Sequence, residues 1–204
     1  MLMATTRAAG AKFRARQRVL GSSLMVALVG ICGSLRKASL NRALLVAVGE
    51  TLPEGSTLEL LGPLDFPIFN SDLSDPPEIV ELKRRIREAD GVVFGVPEYN
   101  YSIPGGLKNA LDWISRPPPQ SPLRGKPVAM VGAASGMSGT IRAQTHLRNM
   151  LVYSDAPCLS QPEVLIPRAH ERFDAEGRLT DASTRVLLER FGVALVAFVS
   201  RCQS

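Results

Sequence analysis

Two periodicities alternate along the chain. Short apolar runs bounded by glycine, proline and acidic residues are followed by stretches in which apolar positions recur every three or four residues. The runs Leu24–Ile31, Thr57–Leu61, Gly91–Val96, Lys126–Gly132 and Pro162–Ile166 predict five strands. The intervening stretches predict five helices over Ser39–Leu52, Pro77–Ala89, Gly105–Ser115, Thr140–Val152 and Leu179–Arg201. The second is the clearest. Pro76 and Pro77 open it, Ile79, Leu82 and Ile86 fall at i, i+3 and i+7, and Lys83, Arg84, Arg85 and Arg87 lie mainly elsewhere around it. Arg116-Pro117-Pro118-Pro119 stops the third. Strict alternation of strand and helix predicts an α/β fold, a doubly wound five-stranded parallel sheet forming a single domain over residues 24–204. Right-handed crossovers then bring the loops after strands one, three and four to the carboxyl edge, where such sheets bind ligands.

Composition narrows the function. With 204 residues, 45% of them hydrophobic, the chain is sized for one substantial core. No apolar run reaches the roughly 18 residues that span a bilayer, so no membrane partner is expected. The net charge of +5 is unevenly spread, because residues 1–24 hold Arg7, Lys12, Arg14, Arg16 and Arg18 and no acid. With those five set aside, 19 of the 24 bases remain against 19 acids, which gives no reason to expect a nucleic-acid surface on the domain. Residues 1–23 read as a disordered basic tail; their Ala, Arg and Thr/Ser content also fits a transit peptide superficially. Cys32, Cys158 and Cys202 form no C-x-x-C pair, which argues against a disulfide framework or metal site and for a reducing cytoplasm. His146 and His170 lack metal spacing and are read as non-catalytic.

Three carboxyl-edge loops carry the candidate chemistry. The first, Gly33-Ser34-Leu35-Arg36-Lys37-Ala38-Ser39-Leu40-Asn41-Arg42, leaves a buried strand and enters a helix, so backbone N–H groups and the helix dipole favour an anion there. Ser34, Ser39 and Asn41 add polar side chains and Arg36 a charge. The loop has neither G-x-G-x-x-G spacing nor a GK[ST] ending, and a terminal monophosphate suits it better than a dinucleotide or triphosphate. The second, Pro97-Glu98-Tyr99-Asn100-Tyr101-Ser102-Ile103-Pro104-Gly105-Gly106, combines two tyrosines, two prolines and an acid, fit to press main chain against a flat ring. The third, Ala133-Ala134-Ser135-Gly136-Met137-Ser138-Gly139-Thr140, allows close approach of backbone to a ligand at its glycines.

Gly33–Arg42 followed by Pro97-Glu98-Tyr99-Asn100-Tyr101-Ser102-Ile103-Pro104-Gly105-Gly106-Leu107-Lys108-Asn109-Ala110-Leu111-Asp112-Trp113 resembles the NADPH-dependent FMN reductase family, and within it the bacterial chromate and quinone reductases. The resemblance covers about residues 24–200. It implies a flavodoxin-like fold with tight, non-covalent FMN, and NADH or NADPH as electron donor. It assigns Ser34, Arg36, Ser39, Leu40 and Asn41 to the phosphate end, Pro97, Glu98, Tyr99 and Asn100 to the isoalloxazine, and Ser135 and Gly136 to its border. Ala133-Ala134 departs from the hydroxyl-rich third loop of such proteins. The resemblance also implies a homodimer or homotetramer, with the helix of Leu107, Leu111 and Trp113 in the pairing and Arg142 and Glu163 in a similar contact.

The expected activity is FMN-dependent NAD(P)H oxidoreduction, reducing quinones, free flavins or metal oxyanions such as chromate by a ping-pong hydride transfer. No Ser/His/Asp or Cys/His set is present, and no side chain is required as acid, base or nucleophile. Glu98 is expected to fix its loop by accepting backbone hydrogen bonds. The competing class is a non-enzymatic flavodoxin-like electron carrier; such carriers are acidic, whereas this domain is neutral and places Arg36 in its first loop.

Overall fold

A computed structural model describes residues 25–204. The expectation of a disordered tail over residues 1–23 lies outside them. Five strands, β1 (Ala27–Cys32), β2 (Thr57–Leu61), β3 (Gly91–Gly95), β4 (Val128–Ala133) and β5 (Val164–Ile166), form one sheet in the order β2-β1-β3-β4-β5. Every neighbouring pair is parallel, with Leu28 opposite Leu58 and Gly91, and Val92 opposite Val128. This is the flavodoxin-like order, whose switch point lies between β1 and β3. The helices are α1 (Leu40–Glu50), α2 (Pro77–Glu88), α3 (Gly105–Ile114), α4 (Ile141–Val152) and α5 (Ala182–Gln203).

Two apolar layers sandwich the sheet. Leu44, Leu45, Ala47 and Val48 of α1 join Leu188, Phe191, Leu195 and Val199 of α5 on one face. Ile86 of α2, Leu107, Ala110 and Ile114 of α3 and Leu147 of α4 cover the other. Strands β3 and β4 are buried along their whole length, whereas edge strand β2 is only half covered. That is why the former read as unbroken apolar runs.

Local differences from the sequence reading have local causes. Strand β4 starts at Val128 because Lys126 turns its ammonium onto the carbonyls of Ala89 and Arg87, just past and inside the last turn of α2. Helix α5 starts three residues later than expected. Leu179 bridges back to Phe173, and the Asp181 carboxylate accepts the Thr184 N–H at 2.7 Å, fixing the first turn. Lys83, expected away from the apolar stripe, is buried. Its ammonium meets the Asp75 carboxylate and the Arg116 carbonyl, tying α2 to the proline-rich turn after α3. On α3, the helix expected in subunit pairing, Leu107, Leu111 and Trp113 are buried in this chain's own core. The Trp113 indole donates to Pro67 O at 2.8 Å and meets the Phe69 ring edge-on, holding the loop that follows β2.

Candidate functional site

The first loop is fixed at both ends and open in the middle. Gly33 N–H donates to Gly95 O at 2.8 Å, locking the start of the loop to the end of β3. A Cβ on Gly33 would come within 2.9 Å of Pro97 and 3.0 Å of Leu107, so only glycine lets the first and second loops approach this closely. At the other end Ser39 caps α1, its Oγ accepting the Arg42 N–H at 3.2 Å. Between them, the amides of Ser34, Leu35, Lys37 and Ala38 have no hydrogen-bond partner among the described residues. The Arg36 guanidinium is exposed and likewise unpaired among them. Four unengaged amides, the Ser34 hydroxyl and a guanidinium at a helix start form a donor set for an anion.

Two residues assigned to this end also make contacts within the chain. The Asn41 amide is buried; it donates to Ala133 O and accepts from Ala133 N–H, both at 2.9 Å. It therefore ties the start of α1 to the end of β4. Leu40 packs against the α1/α5 core and leaves only part of its side chain outside.

The second loop is a two-residue hairpin. Tyr99 and Ser102 exchange both backbone hydrogen bonds, at 2.9 and 3.0 Å, and the central residues Asn100 and Tyr101 have φ of 49° and 63°. Both values lie in the left-handed region, the geometry of a type I′ turn. For a tyrosine that conformation costs roughly 1–2 kcal/mol. Contacts from α4 hold it there. The Arg142 guanidinium lies 4.2 Å from the Tyr101 ring centroid and pairs with the Glu98 carboxylate at 3.1 Å. The Glu98 carboxylate also accepts the N–H groups of Arg142 and Ala143, the first turn of α4. Its expected role of accepting backbone hydrogen bonds is thus what the structure shows, with a helix start as the donor. Pro97 is buried, while Tyr99 and Asn100 are exposed beside it.

The third loop hangs from the segment after β5. Ala134 N–H donates to Ile166 O, Ala169 N–H returns to Ala134 O, and Arg168 N–H donates to Gly136 O at 3.0 Å. Ser135 and Gly136 stay exposed, and a Cβ on Gly136 would meet nothing within 4 Å. Behind them Thr140, fully buried at φ 74°, sits where any Cβ on Gly132 would stand.

Sequence reasoning missed two participants, both on α4. His146, set aside on spacing grounds, places Nδ1 3.0 Å from Ser102 Oγ on the hairpin. Arg142, expected at a subunit contact, is engaged inside its own chain. They lie four residues apart on one helical face, the spacing that marks a shared surface. Glu163, expected in the same contact as Arg142, has no part in these interactions.

Residues 26–171 match the sequence profile of the NADPH-dependent FMN reductases. The chain belongs to that family. It is 45% identical to the NAD(P)H-dependent FMN reductase of Pseudomonas aeruginosa, over 86% of this chain and 96% of that one. It is 40% identical to a 2-hydroxy-1,4-benzoquinone reductase of Burkholderia, over 83% of this chain and 93% of the relative. Among solved structures, the flavoenzyme NAD(P)H:(acceptor) oxidoreductase FerB from Paracoccus denitrificans superposes with a TM-score of 0.79 at 36% identity, covering 86% of this chain and 98% of FerB. The family member described here is accordingly an oxidoreductase that uses FMN with NAD(P)H as electron donor. The donor set of the first loop is chemically suited to the FMN phosphate. Among the described residues, no helix is long and apolar enough to cross a membrane.

Proposed function

We propose that this chain is a two-electron reductase of quinones and related small acceptors, holding FMN across its three carboxyl-edge loops. The observation that carries the reading is the set of unengaged amides at Ser34, Leu35, Lys37 and Ala38 beside the strained Asn100-Tyr101 hairpin. The amides, Ser34, Arg36 and the Ser39 hydroxyl receive the phosphate. Pro97, Glu98, Tyr99 and Asn100 line the ring, and Ser135 and Gly136 border its far edge. Bound there, FMN supplies the hydride-accepting and hydride-donating chemistry that no side chain of the site has.

The chain's own work is placement. Glu98 and Arg142 keep the hairpin rigid, so its main chain presents fixed groups to the ring. Tyr99 and Tyr101 form an exposed aromatic shelf on which a nicotinamide or a quinone stacks. One open face serves both substrates in turn, the oxidised nucleotide leaving before the acceptor enters. Parallel double-reciprocal lines in steady-state kinetics are expected, and intersecting lines would end the two-stage reading. Quinones, free flavins and metal oxyanions such as chromate are the acceptor classes such an open face admits. We further assign the chain to the cytoplasm, on its free cysteines Cys32, Cys158 and Cys202, and to a homodimer or homotetramer on the family resemblance.

The test of the site is direct. The purified protein is expected to be yellow, to release FMN on denaturation, and to bleach within seconds when NADH is added without oxygen. A colourless protein that stays so in excess FMN would remove the site. Yellow protein that does not bleach would leave flavin binding in place and remove the reductase reading.

A further inference from the structure

A groove lies at the outer edge of the sheet, between β2 and the start of α2, and no residue of the three carboxyl-edge loops lines it. Its volume is about 660 Å³. Leu60, Phe66 and Leu82 give it an apolar surface, and its charged lining sets Glu59, Asp65, Glu78 and Glu81 against Arg85 alone. Two of those acids are already paired, Glu59 with Arg85 and Glu81 with Arg84. Asp65 and Glu78 are exposed and have no ion-pair or hydrogen-bond partner among the described residues. β2 is the last strand on this side of the sheet, so its outer edge offers backbone donors and acceptors to a peptide.

The chain carries a segment of matching chemistry. Residues 1–24 hold Arg7, Lys12, Arg14, Arg16 and Arg18 and no acid. Arg14, Arg16 and Arg18 recur at every second position, with Phe13, Ala15 and Val19 between and beside them. In extended backbone that spacing sends cations to one side and apolar groups to the other. The segment joins the domain next to the groove, because Thr57 N–H donates to Val26 O at 3.0 Å and so places Met25 at the amino end of β2. The six residues between Arg18 and Met25 reach roughly 20 Å when extended. The five residues of β2 span roughly 17 Å. We propose that the groove holds the chain's own basic segment, residues 12–19, with its arginines against Asp65 and Glu78 and its apolar residues on Leu60, Phe66 and Leu82. The contact covers the open edge of the sheet and is independent of the flavin site.

Amide hydrogen exchange of the full chain, read by mass spectrometry at low ionic strength, tests the docking. Replacing Arg14, Arg16 and Arg18 together by Glu is expected to speed exchange in residues 59–66 and the first turn of α2 by about fivefold, the effect of two or three exposed ion pairs. Asp65→Arg combined with Glu78→Arg is expected to give the same acceleration while leaving the segment untouched. All five substitutions together re-form the pairs with their signs exchanged, and are expected to return exchange to the rate of the unaltered protein. At about 1 M salt, where charges are screened beyond about 3 Å, the four proteins should exchange alike. Each variant is expected to keep its flavin content and reductase rate, since none of these residues lies in the flavin site. Exchange indifferent to the reversal of the three arginines would overturn the inference, as would a combined variant as fast as either set alone. Protection that grows with protein concentration would also overturn it, because the segment would then come from a second copy of the chain.

Discussion

Arg36 shows how one exposed side chain gains a role from what surrounds it. Beside four unpaired amides its guanidinium completes the charge of an anion site. Arg36→Ala is expected to weaken FMN binding by about 1.5–3 kcal/mol, the contribution of a hydrogen bond to a charged group, read as the flavin dissociation constant. An unchanged constant would remove it from the site. Tyr99→Ala is expected to alter the flavin absorption spectrum and KM for the nicotinamide nucleotide together. Glu98 acts differently, since its carboxylate is nearly enclosed, 8% exposed, and spans Arg142 and two amides of α4. Glu98→Ala leaves those donors without their acceptor and is expected to lower unfolding stability by about 2 kcal/mol, measured as a shift in urea midpoint at unchanged slope. Gly132→Ala drives a methyl group into Thr140 and Gln144 and is expected to cost about 3 kcal/mol or more. A urea midpoint unchanged from the parent protein would show that Thr140 can move aside.

At the scale of elements, helix α5 depends on its cap. The Asp181 carboxylate accepts hydrogen bonds from the Ser183 and Thr184 hydroxyls, the Thr184 amide and the Arg172 guanidinium. These donors hold its carboxyl well below the usual carboxylate range. A carboxyl whose folded value is depressed stabilises the fold above its unfolded value and loses that contribution as pH falls. Asp181→Asn is therefore expected to be less stable than the parent near neutrality, by about 1 kcal/mol. The gap should begin to narrow near about pH 5, where an unfolded aspartate starts to take up protons, and go on narrowing as pH falls further. A gap of constant size from pH 7 to 3 would show that the cap works through shape alone.

The strands and most helices were legible because burial on both faces leaves uninterrupted apolar runs, as in β3 and β4. The misread ends were places where a side chain reaches across space: Lys126 to the end of α2, Asp181 to its own helix. The same reason governs the site. Loop composition pointed to the phosphate end and the ring-lining hairpin. Asn41, in contrast, looks like any polar residue at a helix start, and only the fold reveals Ala133 opposite it. His146 and Arg142 were invisible as a pair with the hairpin because their partners lie some 44 positions away.

At the scale of the whole molecule, the three loops belong to one rigid edge. β1, β3 and β4 are neighbours in the sheet, and each loop is pinned to a different neighbouring segment: Gly33 to β3, Glu98 to α4, Ala134 to the end of β5. The site is thus held by the central sheet rather than by flexible connections. A chain beginning at Met25 retains every element of this edge. It is expected to keep the flavin content and reductase rate of the full chain, both measured on purified protein. Loss of flavin from the shortened chain would show that the preceding residues contribute to the site.

The Asn41 bridge carries a consequence for sequence variation. A side chain that must donate a hydrogen bond to the Ala133 carbonyl while accepting one from the Ala133 N–H leaves almost no permitted substitutes. Aspartate offers no donor, serine is too short, and leucine orphans both backbone groups in the dark between helix and sheet. In a saturation library selected for growth on a toxic quinone, position 41 should collapse to asparagine while an exposed position on the outer side of the same helix, such as Val46, drifts freely.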